Sequence, residues 1–367
     1  MTPKKATQQL TKQHNRDLVL RTIIENQQIS RADIARATKL TRATVSEVVS
    51  GLMAEGLVEE VGLDTSGNGK PSILLSLVPD SRYLIGLNLG QDKFIGAIVN
   101  LSGEIKETVE VPIVGSDGEK ALQFVYEILN QLLAKGWEPI IGIGIGTPGL
   151  VNTREGKVVD AVNLDWEDLP LAALLQERYG LPVSVLNDSQ ATAIGEFVYG
   201  GHHSESNLIV INVKHGIGAG ILINGQLFQG DDGSAGEIGH VRVHGNDLPC
   251  RCGQIGCLET LASAQAVVRR YKELSKEAQL VSLDEVEKRL EAGDGIARQV
   301  VLEAGCSLGE FIGFLSATLN IQEIILTGDM TRFGEPWLNA VRQAMLQSAL
   351  ERLTQDTQLE VGELDYR

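Results

Sequence analysis

The sequence predicts an α/β protein in which a small N-terminal winged helix-turn-helix precedes a larger, two-lobed α/β body. Three observations carry this. Three short helical patterns and a hairpin pattern fill the first eighty residues, a strand-then-helix alternation occurs twice after Arg82, and charge is divided between the two parts. The 367-residue chain carries −16, yet residues 1–50 hold nine Lys/Arg against four Asp/Glu, a local +5 that leaves −21 for the rest. A basic head on an acidic body suits a chain whose head alone meets phosphate.

In the head, Asn15-Arg16-Asp17 opens an apolar stripe, Leu18, Leu20, Ile23 and Ile24, at helical spacing. Ser30 with Asp33 three residues on resembles a capping box and starts a second helix that breaks at Lys39-Leu40. Thr41 caps a third helix from Arg42 to about Ala54, with Val45, Val48, Val49 and Leu52 inward. Helix, tight turn, helix places the later helix in a DNA major groove. Leu57–Val61, a polar tip Asp64–Lys70 and Pro71–Leu77 then form a wing. Arg31, Thr41, Arg42, Thr44, Ser46 and Lys70 are the candidate DNA contacts, with Arg42 and Thr44 foremost. The competing reading is a helical bundle for protein docking; basic charge and the wing favour DNA.

In the body, YLIGLNLG, KFIGAIVNL and EIKETVEVPI are consecutive strands, with a helix near Glu119–Lys135 and a strand at Pro139–Ile145 after them. Asp165–Tyr179 reads mainly as helix, Pro182–Leu186 as strand and Ser189–Tyr199 as helix. Leu208–Val213 and Ala219–Ile223 open a second β-rich region, so a duplicated α/β architecture with a cleft is expected. The expected divisions are 1–78, 82–187 and 188–367. Residues 144–149 also satisfy G-x-G-x-x-G, but Pro148 and the turn-rich LVNTREGKVV do not open the helix a pyrophosphate needs. A dinucleotide site is therefore rejected.

Gly230–Glu259 concentrates the chemistry. His240, Cys250, Cys252 and Cys257, spaced H-x9-C-x-C-x4-C, offer the soft donor set of a closed structural Zn²⁺ site. Glu237 and Glu259 bracket it, so the same knot is expected to shape a polar pocket. Cys306 stands alone in an apolar helical pattern and is expected in the core. No apolar run approaches the ~18–20 residues of a membrane span, and MTPKKATQQL lacks a signal core. A cytoplasmic protein with reduced thiols is expected, which favours metal over disulfide.

Taken together, the QHNRDLVLRTI opening, winged helix, GTPG turn, LNDSQATAIGE segment, HGIGAG loop and GEIGH-to-CLE block resemble the ROK family of repressors, open reading frames and kinases. The resemblance covers nearly the whole chain and points to the repressor branch. It implies an actin-like, two-lobed sugar-kinase fold, usually dimeric or tetrameric. It also implies that Asn187, Asp188, Glu237, His240 and Glu259 line a sugar pocket, with Asn163 and Gly149 as further candidates. The residue matching Asp188 is the general base of family kinases; by local sequence alone, Asn187-Asp188 could equally be a helix cap.

The kinase pattern departs in three places. Family kinases place D-x-G-G-T after the first strand of the body, where this chain has Asn88-Leu89-Gly90-Gln91-Asp92. The second phosphate loop reads Lys214-His215-Gly216-Ile217-Gly218 in place of a Gly-Thr-Gly start, and the adenosine-side Gly-Gly is Gly328-Asp329. The family's Ala-rich final helix is also not present before Leu364-Asp365-Tyr366-Arg367. The expectation is a sugar-responsive repressor, not an enzyme, with structural zinc, a sugar effector and operator DNA bound as a homodimer or dimer of dimers. An ATP-dependent sugar kinase and a sensor of a phosphotransferase-system protein are the alternatives.

Overall fold

The computed structural model describes residues 8–64, 71–90, 93–113, 118–201, 207–276 and 281–364. Lys70, Gln91 and Asp92 lie outside the described residues.

The head contains α1 (Gln8–Asn26), β1 (Ile29–Ser30), α2 (Arg31–Thr38), α3 (Arg42–Ala54), β2 (Val58–Asp64) and β3 (Ser72–Leu77). Ser30 Oγ accepts from the Asp33 N–H and donates to Asp33 Oδ2, which starts α2. Lys39 at φ 59° ends it, and Thr41 Oγ1 accepts from the Thr44 N–H to start α3. The tight turn therefore has a cap on each side. Val19, Ile23, Ile34, Val45, Val49 and Leu52 close over Val58 and Leu75 in a separate small core, and the sheet order is β1-β3-β2.

The first half of the body holds β4 (Tyr83–Leu89), β5 (Lys93–Asn100), β6 (Ile105–Pro112), α4 (Gly118–Leu133), β7 (Ile140–Thr147), β8 (Leu150–Asn152), β9 (Lys157–Ala161), β10 (Trp166–Leu169), α5 (Leu171–Tyr179) and β11 (Val183–Asn187). Five strands form one sheet in the order β11-β7-β4-β5-β6, while β8, β9 and β10 make a small antiparallel sheet. Strands β4, β7 and β11 are parallel, so Asn88, Gly146, Thr147 and Asn187 emerge at one edge. Asp165–Tyr179 corrects the sequence expectation: Trp166–Leu169 is strand, and the helix begins only after Pro170. Asp165 and Asp168 both have positive φ, a backbone state that a helix does not accept. Strand β7 runs into the β8–β9 hairpin and not into a helix, in line with the rejected dinucleotide site.

The second half holds α6 (Asp188–Tyr199), β12 (Leu208–Val213), β13 (Ile217–Ile223), β14 (Gln226–Leu227), α7 (Glu259–Ala262), α8 (Ala264–Ser275), α9 (Leu283–Glu291), α10 (Gly295–Leu319), β15 (Glu323–Thr327), α11 (Gly334–Ser348), α12 (Glu351–Thr354) and β16 (Gln358–Val361). Its sheet order is β14-β13-β12-β15-β16, with a core distinct from that of the first half. Helix α10 is long and apolar enough to cross a membrane by length and composition, but Val300, Leu308, Ile312 and eight neighbouring positions along it are buried in this core along with Phe311. Cys306 is exposed on α10, contrary to expectation, because the buried face runs through Ala304, Gly305, Leu308 and Gly309.

Candidate functional site

The two sheets face each other across a cleft with a volume of about 520 Å³. All seven sugar-site candidates, Gly149, Asn163, Asn187, Asp188, Glu237, His240 and Glu259, line it. Each arrives from a different local structure. Asn187 is the last residue of β11 and the N-cap of α6: its Oδ1 accepts from the Ser189 N–H at 2.9 Å. The cap reading of Asn187 is thus correct, and it does not exhaust the side chain. Its Nδ2 donates to Gly149 O at 3.0 Å and to Glu237 Oε1 at 3.4 Å, so one amide joins the GTPG turn, helix α6 and the Glu237 loop.

That loop is held close. Gly236 has φ 110°, and a Cβ there would lie 1.9 Å from Ala219 O, so only glycine allows the backbone to run against β13. Gln190, 1 % exposed on α6, donates its Nε2 to Gly233 O at 2.8 Å and Ala235 O at 3.0 Å. Glu237 comes directly after this stretch in the chain. Burial, then the charges of Asp188 and Glu259, push its carboxyl up to about 7 against the opposing pull of Arg251. Burial also raises Asp188 above its ordinary value, opposed by Lys214 and by the Ser189 N–H. Three carboxylates thus share one pocket, and at least one of them holds its proton near neutrality, giving both donors and acceptors for hydroxyl groups.

Glu259 sits at the start of α7, 7 % exposed. Its Oε1 lies 3.5 Å from Arg251 Nε and accepts from the Cys250 thiol at 3.0 Å. Arg251 also reaches Asn163 Oδ1 at 3.3 Å. Sequence reasoning missed Arg251 and Gln190. The first stands between two cysteines that drew attention as ligands, and the second reads as an ordinary helical residue; neither has a motif of its own.

The ligand atoms of His240, Cys250, Cys252 and Cys257 all lie within 4.8 Å of one another, so one small cation can touch all four. His240 Nδ1 is 3.6 Å from Cys250 Sγ, and Cys252 Sγ is 3.7 Å from Cys257 Sγ. Buried Asn246 props this loop from behind, donating to Cys257 O at 3.1 Å and Thr260 Oγ1 at 2.9 Å. Burial raises the Cys250 and Cys257 thiols, whereas Cys252 is lowered: desolvation there is outweighed by the Gln254 N–H and by hydrogen bonds with Cys250 and Cys257.

In the head, Arg42 and Ser46 are exposed along the start of α3, and Thr44 is half-buried with its Oγ1 2.9 Å from Thr41 Oγ1. Arg31 pairs with Glu60 at 3.0 Å and donates to Met53 Sδ at 3.4 Å, which directs it toward its own wing.

A winged helix joined to an actin-like, sugar-kinase-type body with a polar cleft defines the class. The chain belongs to the ROK family: residues 84–363 match the ROK family model, and residues 18–66 match that of the MarR family. It is 34% identical to the xylose repressor of Caldicellulosiruptor bescii over 98% of this chain and 94% of that protein. Among solved structures, a ROK family transcriptional regulator described as a homologue of the E. coli Mlc protein superposes with a TM-score of 0.85 at 26% identity, covering 97% of this chain and 93% of that one. A ROK family glucokinase from Streptomyces griseus, in complex with glucose and AMPPNP, superposes at 0.70 and 26% identity over 77% of this chain and 95% of that one.

Proposed function

We propose that this chain is a sugar-responsive transcription regulator, a repressor of carbohydrate-utilisation genes that acts in the cytoplasm on a palindromic operator as a homodimer or dimer of dimers. The observation that carries the reading is the union in one chain of a capped, exposed helix start at Thr41–Ser46 with a polar cleft lined by all seven candidate sugar-site residues. The name of the Caldicellulosiruptor relative supports it. Residues 1–78 form the DNA-binding unit, 82–187 the first lobe, and 188–367 the second lobe with the sugar and metal loops. Arg42, Thr44 and Ser46 face base edges, Thr41 sets the start of the helix, and Arg31 and Lys70 approach phosphate. Sugar lies against Asn187, Asp188, Glu237, His240 and Glu259, with Gly149 and Asn163 at the rim.

The cation is structural Zn²⁺ held by His240, Cys250, Cys252 and Cys257. Bonds of about 2.3 Å to sulfur and 2.0–2.1 Å to nitrogen require tetrahedral edges of about 3.8 Å between sulfurs and 3.5 Å between sulfur and nitrogen. The 3.7 and 3.6 Å separations fit those edges. With four protein ligands no position is open for chemistry; the metal fixes the loop that presents Glu237 and Glu259. Were His240 to hold the ion through Nδ1, the nitrogen 3.6 Å from Cys250 Sγ, its other nitrogen would be left for a sugar hydroxyl.

No phosphoryl transfer is assigned. Asn88, Gln91 and Asp92 replace the acid, glycine and hydroxyl that organise Mg²⁺ and phosphate, although Asp188, the general-base position, is retained. An ATP-dependent phosphorylation assay across hexoses and pentoses tests this: background turnover is expected, and robust turnover overturns the regulator-only reading. Arg42→Ala should weaken operator binding by about 1–3 kcal/mol while sugar affinity stays unchanged; equal loss of both contradicts the division of labour.

A further inference from the structure

The cleft has two ends, and the carboxylates Glu237 and Glu259 with the metal loop occupy one of them. The other is lined from the C-terminal ends of β4, β12 and β15. Asn88 and Gly90 approach it from β4, and Asn212, Lys214 and Asp329 approach it from β12 and the turn after β15. Asn212 pairs in register with Thr327, which places Lys214 and Asp329 just beyond the ends of adjacent strands.

This end is built and polar. Asn212 is 3 % exposed yet lines the cavity. Its Oδ1 is 3.5 Å from Thr327 Oγ1, a weak contact, and among the described residues no acceptor takes its Nδ2. A buried amide donor facing an open cavity meets its hydrogen-bonding need from whatever fills that cavity. Asn88, exposed to the same space, offers a second amide.

Volume points the same way. A single pyranose with its hydroxyls displaces roughly 150–200 Å³, taking about half a water's ~30 Å³ share for each of its dozen heavy atoms. The cleft measures about 520 Å³, enough for two rings. Charge decides what the second occupant is. An anionic group at this end would lie against Asp329, and Lys214, the cation of this end, is already drawn on by Asp188. A neutral polyol takes donors from Asn212, Asn88 and Lys214 and gives hydroxyl donors to Asp329 without that penalty.

We propose that the effector is a two-ring sugar, a disaccharide whose first ring occupies the Asp188–Glu237–Glu259 end and whose second ring occupies a subsite made by Asn88, Asn212, Lys214 and Asp329. The inference rests on the sugar-binding reading of the cleft and adds the size of the ligand and a second set of residues that recognise it.

Calorimetric titration of the full chain with xylose and glucose, and with xylobiose, cellobiose and maltose, tests it. At least one disaccharide should bind tenfold or more tightly than its own monomer. Asn212→Ala should bring that pair to within about twofold of each other while the monomer's affinity is unchanged. Because Asn212 lies inside a strand, Asn88→Ala, at an exposed strand end, provides a second variant with the same expected direction. Monosaccharides that bind as tightly as every disaccharide overturn the two-ring proposal and leave the sugar-responsive reading standing. Binding of none of the five sugars overturns both. Tighter disaccharide binding that neither variant diminishes overturns the subsite assignment.

Discussion

At the scale of single residues, the pocket is governed by charges that do not match in an obvious way. Glu237, Asp188 and Glu259 stand together with Arg251 and Lys214, and Glu237 responds by holding its proton up to about 7. Its folded value lies above the ordinary 4.5, so the native state binds this proton more tightly than the unfolded state. The resulting stabilisation is complete below 4.5 and is lost as pH rises through about 7. Glu237→Gln should therefore flatten the fall in melting temperature across that window; an identical fall in both proteins contradicts the assignment. Cys252→Ser bears on the metal. Zinc measured by atomic absorption should drop from about one ion per chain toward none, and sugar affinity should fall about tenfold or more as the Glu259 loop loosens. Unchanged metal content removes the zinc assignment. The metal-loop residues were legible in the sequence because thiols and imidazoles are few and were clustered, with Glu237 and Glu259 bracketing them. Arg251 was not, since nothing in its type or position distinguishes it until the fold sets its guanidinium between Glu259 and Asn163.

At the scale of elements, α6 is the hinge of the site. Its N-terminal end carries Asn187 and Asp188, and Gln190, two residues beyond Asp188, fastens the loop that leads to Glu237. A buried donor that serves two carbonyls leaves both unsatisfied when it is removed, at a cost of about 1–3 kcal/mol each. Gln190→Leu, similar in volume, should lower the unfolding free energy by an amount of that order in denaturant melts and reduce sugar affinity while operator affinity holds. Loss of stability with unchanged sugar affinity would reduce Gln190 to a packing residue. The helices and strands themselves were largely evident from periodicity and caps: α3 begins at Arg42 and ends at Ala54 as its pattern implies. The expectation of helix fails at Asp165–Leu169 because WEDL carries no alternation, and its strand exists through pairing with Lys157–Ala161, a partner that a local window does not include. Cys306 departs from its expected place for a related reason. Close packing of α10 on α11 through Gly305, Gly309 and Gly313, where a Cβ at Gly309 would sit 2.1 Å from Val341 O, rotates the buried stripe away from it.

At the scale of the whole molecule, the question is how a filled cleft reaches the DNA-binding head. The connection is short and tied at several points. Val78 N donates to Leu57 O at 2.9 Å, Leu101 N to Pro79 O at 3.0 Å, and Arg82 Nη2 to Glu55 O at 3.1 Å. Asp80 is gripped by Asn100 Nδ2 at 2.9 Å and Lys106 Nζ at 3.0 Å, both on the first sheet. With these ties in place, a movement of that sheet would be passed to the head and not absorbed by a slack linker. Asp80→Ala, an exposed position, should leave sugar and operator affinities each within about twofold of wild type while shrinking the effect of one on the other severalfold. An undiminished effect would place the coupling elsewhere. The sequence marks residues 77–82 as the linker through which the cleft reaches the head, but not these ties, which join residues far apart in the chain.

Everything in this scheme turns on sugar in the cleft changing the head's hold on DNA. Operator affinity by fluorescence anisotropy, using a site selected from a random duplex pool, with and without saturating sugar at fixed salt, reads that change without intermediaries. A palindromic site is expected, with a change in dissociation constant of about tenfold or more, within the ordinary range of coupling energies. Equal affinities at sugar concentrations that demonstrably fill the cleft would contradict it.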